Sequence, residues 1–275
     1  MRLLVSFYLV IGVIFMSLSS SLAGENFTGF DRMMKDGKIR CGYQYWDGGI
    51  YKDEKTGELA GFFVDYTNKM AESLEIDVEW VGPIEWSNIA AELKTNKIDA
   101  WCATSWLSAR NSKYMLVSEE VAYSGFEAFV RANDTRFDDD PESLNKSSVI
   151  MATLENTSSD TIAKGILPKA TPYPLPSLVA TDMELLVNVA SGKADVAFTS
   201  PGVVYQYMEK NPNKVKRLYP GNPYAMMGFT YTVGDSDYRL LHSINTGIRE
   251  LKNTGFTKRL IEKYNEKYPE LFIEE

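Results

Sequence analysis

One alternation, run twice, constrains this chain more than any other feature. Short apolar, strand-like runs take turns with segments whose apolar residues recur every three or four positions. Strand-like runs at 39–45, 78–81 and 98–104 are separated by two helical stretches. The first, 62–74, puts Phe63, Tyr66, Met70 and Leu74 on one face, and the second, 87–93, does the same with Ile89, Ala90 and Leu93. A polar turn, YKDEKTGEL, precedes them. The segment FDDDPESLNKSS, opening at Phe137, interrupts the pattern. It then resumes with strands at 149–153, 171–174 and 194–199 and helices at 159–166, 181–190 and 202–209. A further strand at 225–233 is bounded by Pro223 and Gly234. Two helical faces close the chain, Leu240, Ile244, Ile248 and Leu251, then Phe256, Leu260 and Tyr264. Alternation of this kind builds a mostly parallel sheet with helices on its faces. Its restart predicts two successive α/β units of about one hundred residues each.

Composition narrows the function. In 275 residues there are 29 Lys and Arg against 37 Asp and Glu, a net charge of −8. A nucleic-acid binder needs a basic footprint, and an anionic membrane surface attracts one, so neither is expected as a partner. With 44% hydrophobic residues the chain is globular rather than disordered. A single His, His242, and two Cys exclude multi-histidine metal centres and thiolate zinc sites. No phosphate-cradling Gly loop and no Ser–His–Asp motif are present, so no cofactor is expected. His242 falls on a helical pattern, LLHSINTGIREL, as a surface or packing residue.

The first residues read as an address. Arg2 is a short positive region, 3–18 is apolar, and Ser21-Leu22-Ala23 offers the small residues that a signal peptidase reads. Residues 1–23 are therefore expected to be a cleaved signal peptide. No Cys follows the apolar region as a lipid acceptor, which points to a periplasmic protein that is not a lipoprotein. Cys41 and Cys102 both lie in apolar, strand-like runs. Two readings stay open for them: buried free thiols, or a disulfide made in an oxidising compartment.

Three segments carry a family resemblance. GKIRCGYQYWDGGIYKDEKTGELAGFFVDYTNKMAESL holds an opening strand, an acidic-Gly turn and a Gly-Phe-x-Val-Asp helix start. WSNIAAELKTNKIDAWCATSWLSARNSKYMLVSEEVAYSG holds a helix–strand unit followed by a polar loop that ends in Arg. LVNVASGKADVAFTSPGVVYQY repeats the helix–strand unit further on. In this order, behind a signal peptide, they resemble the extracellular solute-binding proteins of family 3, the periplasmic component of polar-amino-acid ABC importers. The resemblance implies the two-lobe type II periplasmic binding fold, each lobe a mainly parallel sheet flanked by helices. Lobe 1 would be discontinuous, 27–124 and 225–275, and lobe 2 would span 125–224. YSGFEAFVRA and YAMMGFTYTV would be the two crossover strands. The protein would be a monomer that is not an enzyme, taking a small-molecule ligand between its lobes and meeting a membrane ABC permease transiently. An exported cyclohexadienyl dehydratase-like enzyme and a ligand sensor for a membrane partner are the alternatives on the same fold.

The resemblance also places site residues. Arg110 would grip a ligand carboxylate with its forked guanidinium, helped by the hydroxyls of Thr104 and Ser105. Thr157 and Ser158 would meet an anion at a helix N-terminus, with Asn156 standing where the family has Gly. Trp86 and Trp46 would be aromatic walls, with Gln44 and Asp47 beside the second. Ser200 departs from the pattern. Many amino-acid-binding members carry Asp there to pair with the ligand's ammonium, and a hydroxyl cannot balance that charge. Either another acid supplies it, with Asp47 the nearest candidate, or the ligand lacks a standard α-amino group.

Overall fold

The structure is a computed structural model and describes residues 27–105, 109, 111–177 and 179–274. The leader at 1–23 lies outside them. The chain begins with α1 (Gly29–Asp36), β1 (Lys38–Gly42), a small hairpin of β2 (Tyr51–Lys52) and β3 (Leu59–Ala60), and α2 (Phe62–Ser73). It continues through β4 (Asp77–Val81), a 3-10 turn at Trp86–Asn88, α3 (Ile89–Lys94), β5 (Ala100–Ser105) and β6 (Met115–Val117). A ten-residue strand, β7 (Ala122–Arg131), leads to β8 (Ile150–Leu154), α4 (Ser158–Ile166) and β9 (Thr171–Leu175). Then come α5 (Asp182–Ala190), β10 (Val196–Thr199), α6 (Pro201–Lys210) and β11 (Val215–Arg217). A second ten-residue strand, β12 (Ala225–Gly234), brings the chain back to α7 (Tyr238–Asn253) and α8 (Phe256–Asn265).

The strands join in the order β4-β1-β5-β12-β7-β10-β8-β9, with β6 on β12 and β11 on β7. Pairs made by strand–helix–strand connections are parallel: β1 with β4 and β5, and β8 with β9 and β10. The two long strands run antiparallel to each other and to their flanking neighbours β5 and β10. A chain that leaves one strand group on β7 and returns on β12 must run in opposite directions along them, so the sheet is parallel only within each group.

Burial follows the same division. One core joins Ile39, Phe63, Met70, Ile98 and Trp101 to Tyr231, Ile244, Ile248 and Phe272. Residues between 126 and 227 build two further cores on opposite faces of one sheet. Paired β8 and β10 show why: Met151 and Val196 belong to one core, while their paired neighbours Ala152 and Ala197 belong to the other. Each face is covered by a helix, α4 through Ala163 on the first and α5 through Leu185, Leu186 and Val189 on the second.

Several local features fix how the chain enters the site. The strand expected at 39–45 stops at Gly42, and Tyr43 instead offers its carbonyl to Ile84 N at 2.8 Å. The following residues are thereby released from the sheet as a loop. That loop is clamped from behind by Gly61, which has φ 128° and would place a Cβ 2.2 Å from the Gly49 carbonyl oxygen. Only glycine fits such a backbone against such a neighbour. Cys41 and Cys102 form a disulfide across β1 and β5, with Cα atoms 5.4 Å apart. Among the described residues no helix is long and apolar enough to cross a membrane.

Candidate functional site

In sheets of this type ligands gather beyond the carboxyl ends of the parallel strands. Here those ends are occupied by the loop after β1, the loop after β5, the turn between β8 and α4, and the junction of β10 with α6.

The β1 loop holds Gln44, Tyr45, Trp46 and Asp47. The Trp46 backbone N–H donates to Ile50 O at 2.8 Å and the Trp46 carbonyl accepts in return from Ile50 N at 3.0 Å, closing a tight turn. Its indole N–H donates to Ala103 O at 2.9 Å, and its ring packs on Phe63, Phe229 and Phe272. Trp46 thus ties the loop to β5 and to the first core. The side-chain carbonyl of Gln44 accepts from Tyr45 N at 3.0 Å, and Asp47 is exposed. Trp86 is placed differently. It is 49% exposed, and its ring meets the buried Trp101 at 64° with centroids 5.2 Å apart. One side rests on the core and the rest is open, as an aromatic wall requires. Arg110, and the side chains of Thr104 and Ser105 on the last two positions of β5, lie outside the described residues.

On the other side, Asn156 takes the left-handed backbone, φ 62°, that its place in the turn demands. Thr157 caps α4: its hydroxyl accepts from Asp160 N at 3.1 Å and donates to Leu154 O at 2.8 Å. With the Ser159 hydroxyl 2.8 Å away as a third partner its capacity is filled, so Thr157 shapes the turn. The Ser158 side chain is outside the described residues. Ser200 heads α6, with Pro201 in the first turn, yet its side chain makes no cap hydrogen bond although the residue is only 7% exposed.

One further acid was not singled out by the sequence pattern. Asp182 opens α5, where Thr181 and Glu184 already form a complete capping box. Thr199, the buried last residue of β10, is the polar side chain that acts on the Asp182 carboxyl. Desolvation pushes this carboxyl up to about 6, against the Thr199 hydrogen bond and with a small push from Glu184. No ion pair with Asp182 is found among the described residues. Thr199 pairs across β10 and β7 with Glu127, whose own charge is held by both arms of Arg217 from β11.

The segment after α8 touches both halves of this arrangement. A Cβ on Gly48 of the β1 loop would stand 2.4 Å from Leu271 Cδ2, and one on Gly202 of α6 would stand 2.4 Å from Leu271 Cδ1. Gly48, next to Asp47, and Gly202, two residues after Ser200, therefore pack on a single buried leucine. Arg217 extends the link by pairing with Glu270 as well as Glu127. Among the described residues no cluster of His, Cys, Asp and Glu is arranged to hold a metal ion.

A family model for bacterial extracellular solute-binding proteins, family 3, matches residues 39–267. The probable amino-acid-binding protein YxeM of Bacillus subtilis (strain 168) is 24% identical over 218 residues, covering 77% of this chain and 78% of that protein. Among solved structures, an ancestral amino acid-binding protein, described as a precursor of cyclohexadienyl dehydratase, aligns with a TM-score of 0.68 and 26% identity. The match covers 86% of this chain and 99% of that one. An ancestral arginine-binding protein bound to arginine shares the fold at a TM-score of 0.65 and 23% identity, over 83% of this chain and 98% of that one.

Proposed function

The chain belongs to the bacterial extracellular solute-binding proteins, family 3, and from that premise we propose that it is the capturing component of an ABC importer. It takes an amino acid or a related small polar carboxylate between two lobes, outside the cytoplasm, and presents it to a membrane permease. Residues 27–124 with 225–275 act as one lobe and 125–224 as the other. The observation that carries this reading is the sheet itself. Two long antiparallel strands, β7 and β12, are the strand links between groups whose cores are separate. Bending at such a pair closes one group on the other without breaking either core.

Closure removes water, so each polar group of the ligand then needs a partner. Arg110 with Thr104 and Ser105 holds the carboxylate, Trp86 covers the apolar stem, and Gln44, Asp47, Ser158 and Ser200 line the remaining polar faces. The similarity to an amino acid-binding protein and to the curated relative supports an amino acid as the ligand. An enzymatic reading would need a positioned general acid and base. The only His, His242, is exposed on α7.

Thermal unfolding of the secreted form with each of the twenty common L-amino acids, and with simple amines and carboxylates, tests the proposal. A ligand at one hundred times its Kd adds about 2.7 kcal/mol of stability. At least one amino acid is expected to raise the midpoint by several degrees. A flat response to the whole panel overturns the reading, and release of product from prephenate or arogenate would replace it with the enzymatic one.

A further inference from the structure

The residues that follow α8 do more than finish the first core. We propose that residues 265–273 are a strap that limits how far the two lobes part, and that it sets the affinity for ligand through Glu270 and Leu271 as positioning residues. The inference rests on the closure reading above and names the part of the chain that tunes it.

The strap is fixed at both ends. Asn265, the last residue of α8, clamps Phe272 twice: its side-chain N–H donates to Phe272 O at 2.6 Å, and its side-chain carbonyl accepts from Phe272 N at 3.1 Å. Phe272 is fully buried and stacks on Phe62 with ring centroids 4.1 Å apart. Beyond it, Ile273 N donates to Tyr123 O at 2.7 Å and Tyr123 N donates back to Ile273 O at 2.8 Å. The strap thus ends on the start of β7, one of the two linking strands.

Between these anchors, two neighbouring side chains reach the other half. Leu271 is 1% exposed and packs on Gly48 of the β1 loop and on Gly202 in the first turn of α6, leaving no room for a Cβ at either glycine. Glu270 pairs with Arg217 of β11, whose guanidinium also holds the buried Glu127. Glu270 has a left-handed backbone, φ 59°. A non-glycine residue keeps that conformation where its surroundings over-determine it. Here the Asn265 clamp, the seat of Leu271 and the pair with Arg217 do so.

The placement has a mechanical consequence. Gly48 follows Asp47, and Gly202 lies two residues after Ser200, so the strap touches both elements that bring candidate ligand side chains. Parting the lobes draws α6 and β11 away from Leu271 and Glu270. Wide-open states therefore lose contacts that the observed arrangement keeps. Apparent affinity falls with the fraction of molecules outside the binding-competent state. A strap that trims this fraction raises affinity without touching the ligand.

The test compares the native protein with Glu270→Ala and Glu270→Lys, the second of which sets like charges against Arg217. Glu270 has a half-exposed side chain, so both variants are expected to fold, and thermal unfolding is recorded alongside. The probe is the L-amino acid that stabilises the native protein most. Without ligand, the radius of gyration by small-angle scattering is expected to rise in both variants. With saturating ligand it is expected to return to the native value. Calorimetric Kd is expected to rise about threefold for Glu270→Ala and about tenfold for Glu270→Lys. Both ratios to the native Kd should shrink as salt is raised from about 0.02 to about 0.5 M, because the pair is partly open to solvent. A merely structural role would lower the unfolding midpoint and leave the radius and Kd at native values. That result overturns the inference, as does a native value for either readout alone, and the function proposed above then still stands. If the native protein binds no amino acid, or binds one with no change in radius, the closure reading falls and the strap with it.

Discussion

A single carboxyl shows how much of this protein is decided by individual side chains. Asp182 has its carboxyl raised from 3.8 to about 6 by desolvation. The folded protein then holds a proton that the unfolded chain has lost, so stability falls as the pH rises from about 4 to about 6. Thermal midpoints across that window should decline in the native protein relative to Asp182→Asn, and parallel curves would contradict the assignment. Arg110→Ala is expected to raise the Kd for the captured amino acid at least about thirtyfold with little change in unfolding. Unchanged affinity by calorimetry would remove Arg110 from the site. The departure at Ser200 rests on the family resemblance of the surrounding GKADVAFTSP, in which a Ser stands where many members carry an Asp. Trp46 was legible as an aromatic near the site, but only packing reveals that Ala103, Phe63 and Phe229 take up its ring and N–H.

At the scale of elements, strands with continuous apolar runs and helices with a clear apolar face were read at nearly their observed bounds. What escaped were short or polar elements. α1 buries only Gly29 and Met33, and β6 and β11 have three residues each, too short for any periodicity. The hairpin of β2 and β3 is stitched by Asp53 accepting from Lys55 N and Thr56 N, bonds that a polar turn shares with any loop. The connections between elements carry much of the stability. Gly202 gives α6 room for Leu271, so Gly202→Ala should destabilise by about 1–3 kcal/mol, read by urea unfolding. Arg217→Ala would strand Glu127, which is 2% exposed, and should destabilise by about 3–5 kcal/mol. A loss below about 1 kcal/mol would mean that the pair is solvated. The Cys41–Cys102 bridge spans 61 residues, and its reduction is expected to remove about 4 kcal/mol in the chain-entropy picture.

For the molecule as a whole, the double run of strand–helix alternation was visible in the sequence, and so was the second long strand, while the first was implied only by the family resemblance. The antiparallel course of those strands was not, because direction in a sheet is set by where the chain must return and not by the residues that pair. The tie through Leu271, Arg217 and Glu270 was equally hidden. It links segments far apart in the chain, between the opening loop, β11 and the C-terminal segment. Such a tie sits against both halves, so it limits how far they part and favours a hinge over free swinging. The central claim is that capture happens by closure of one half on the other. Small-angle scattering of the protein, alone and with a saturating amount of its best-stabilising amino acid, measures this directly. The radius of gyration is expected to fall on binding, and curves that superimpose at saturation would contradict the account.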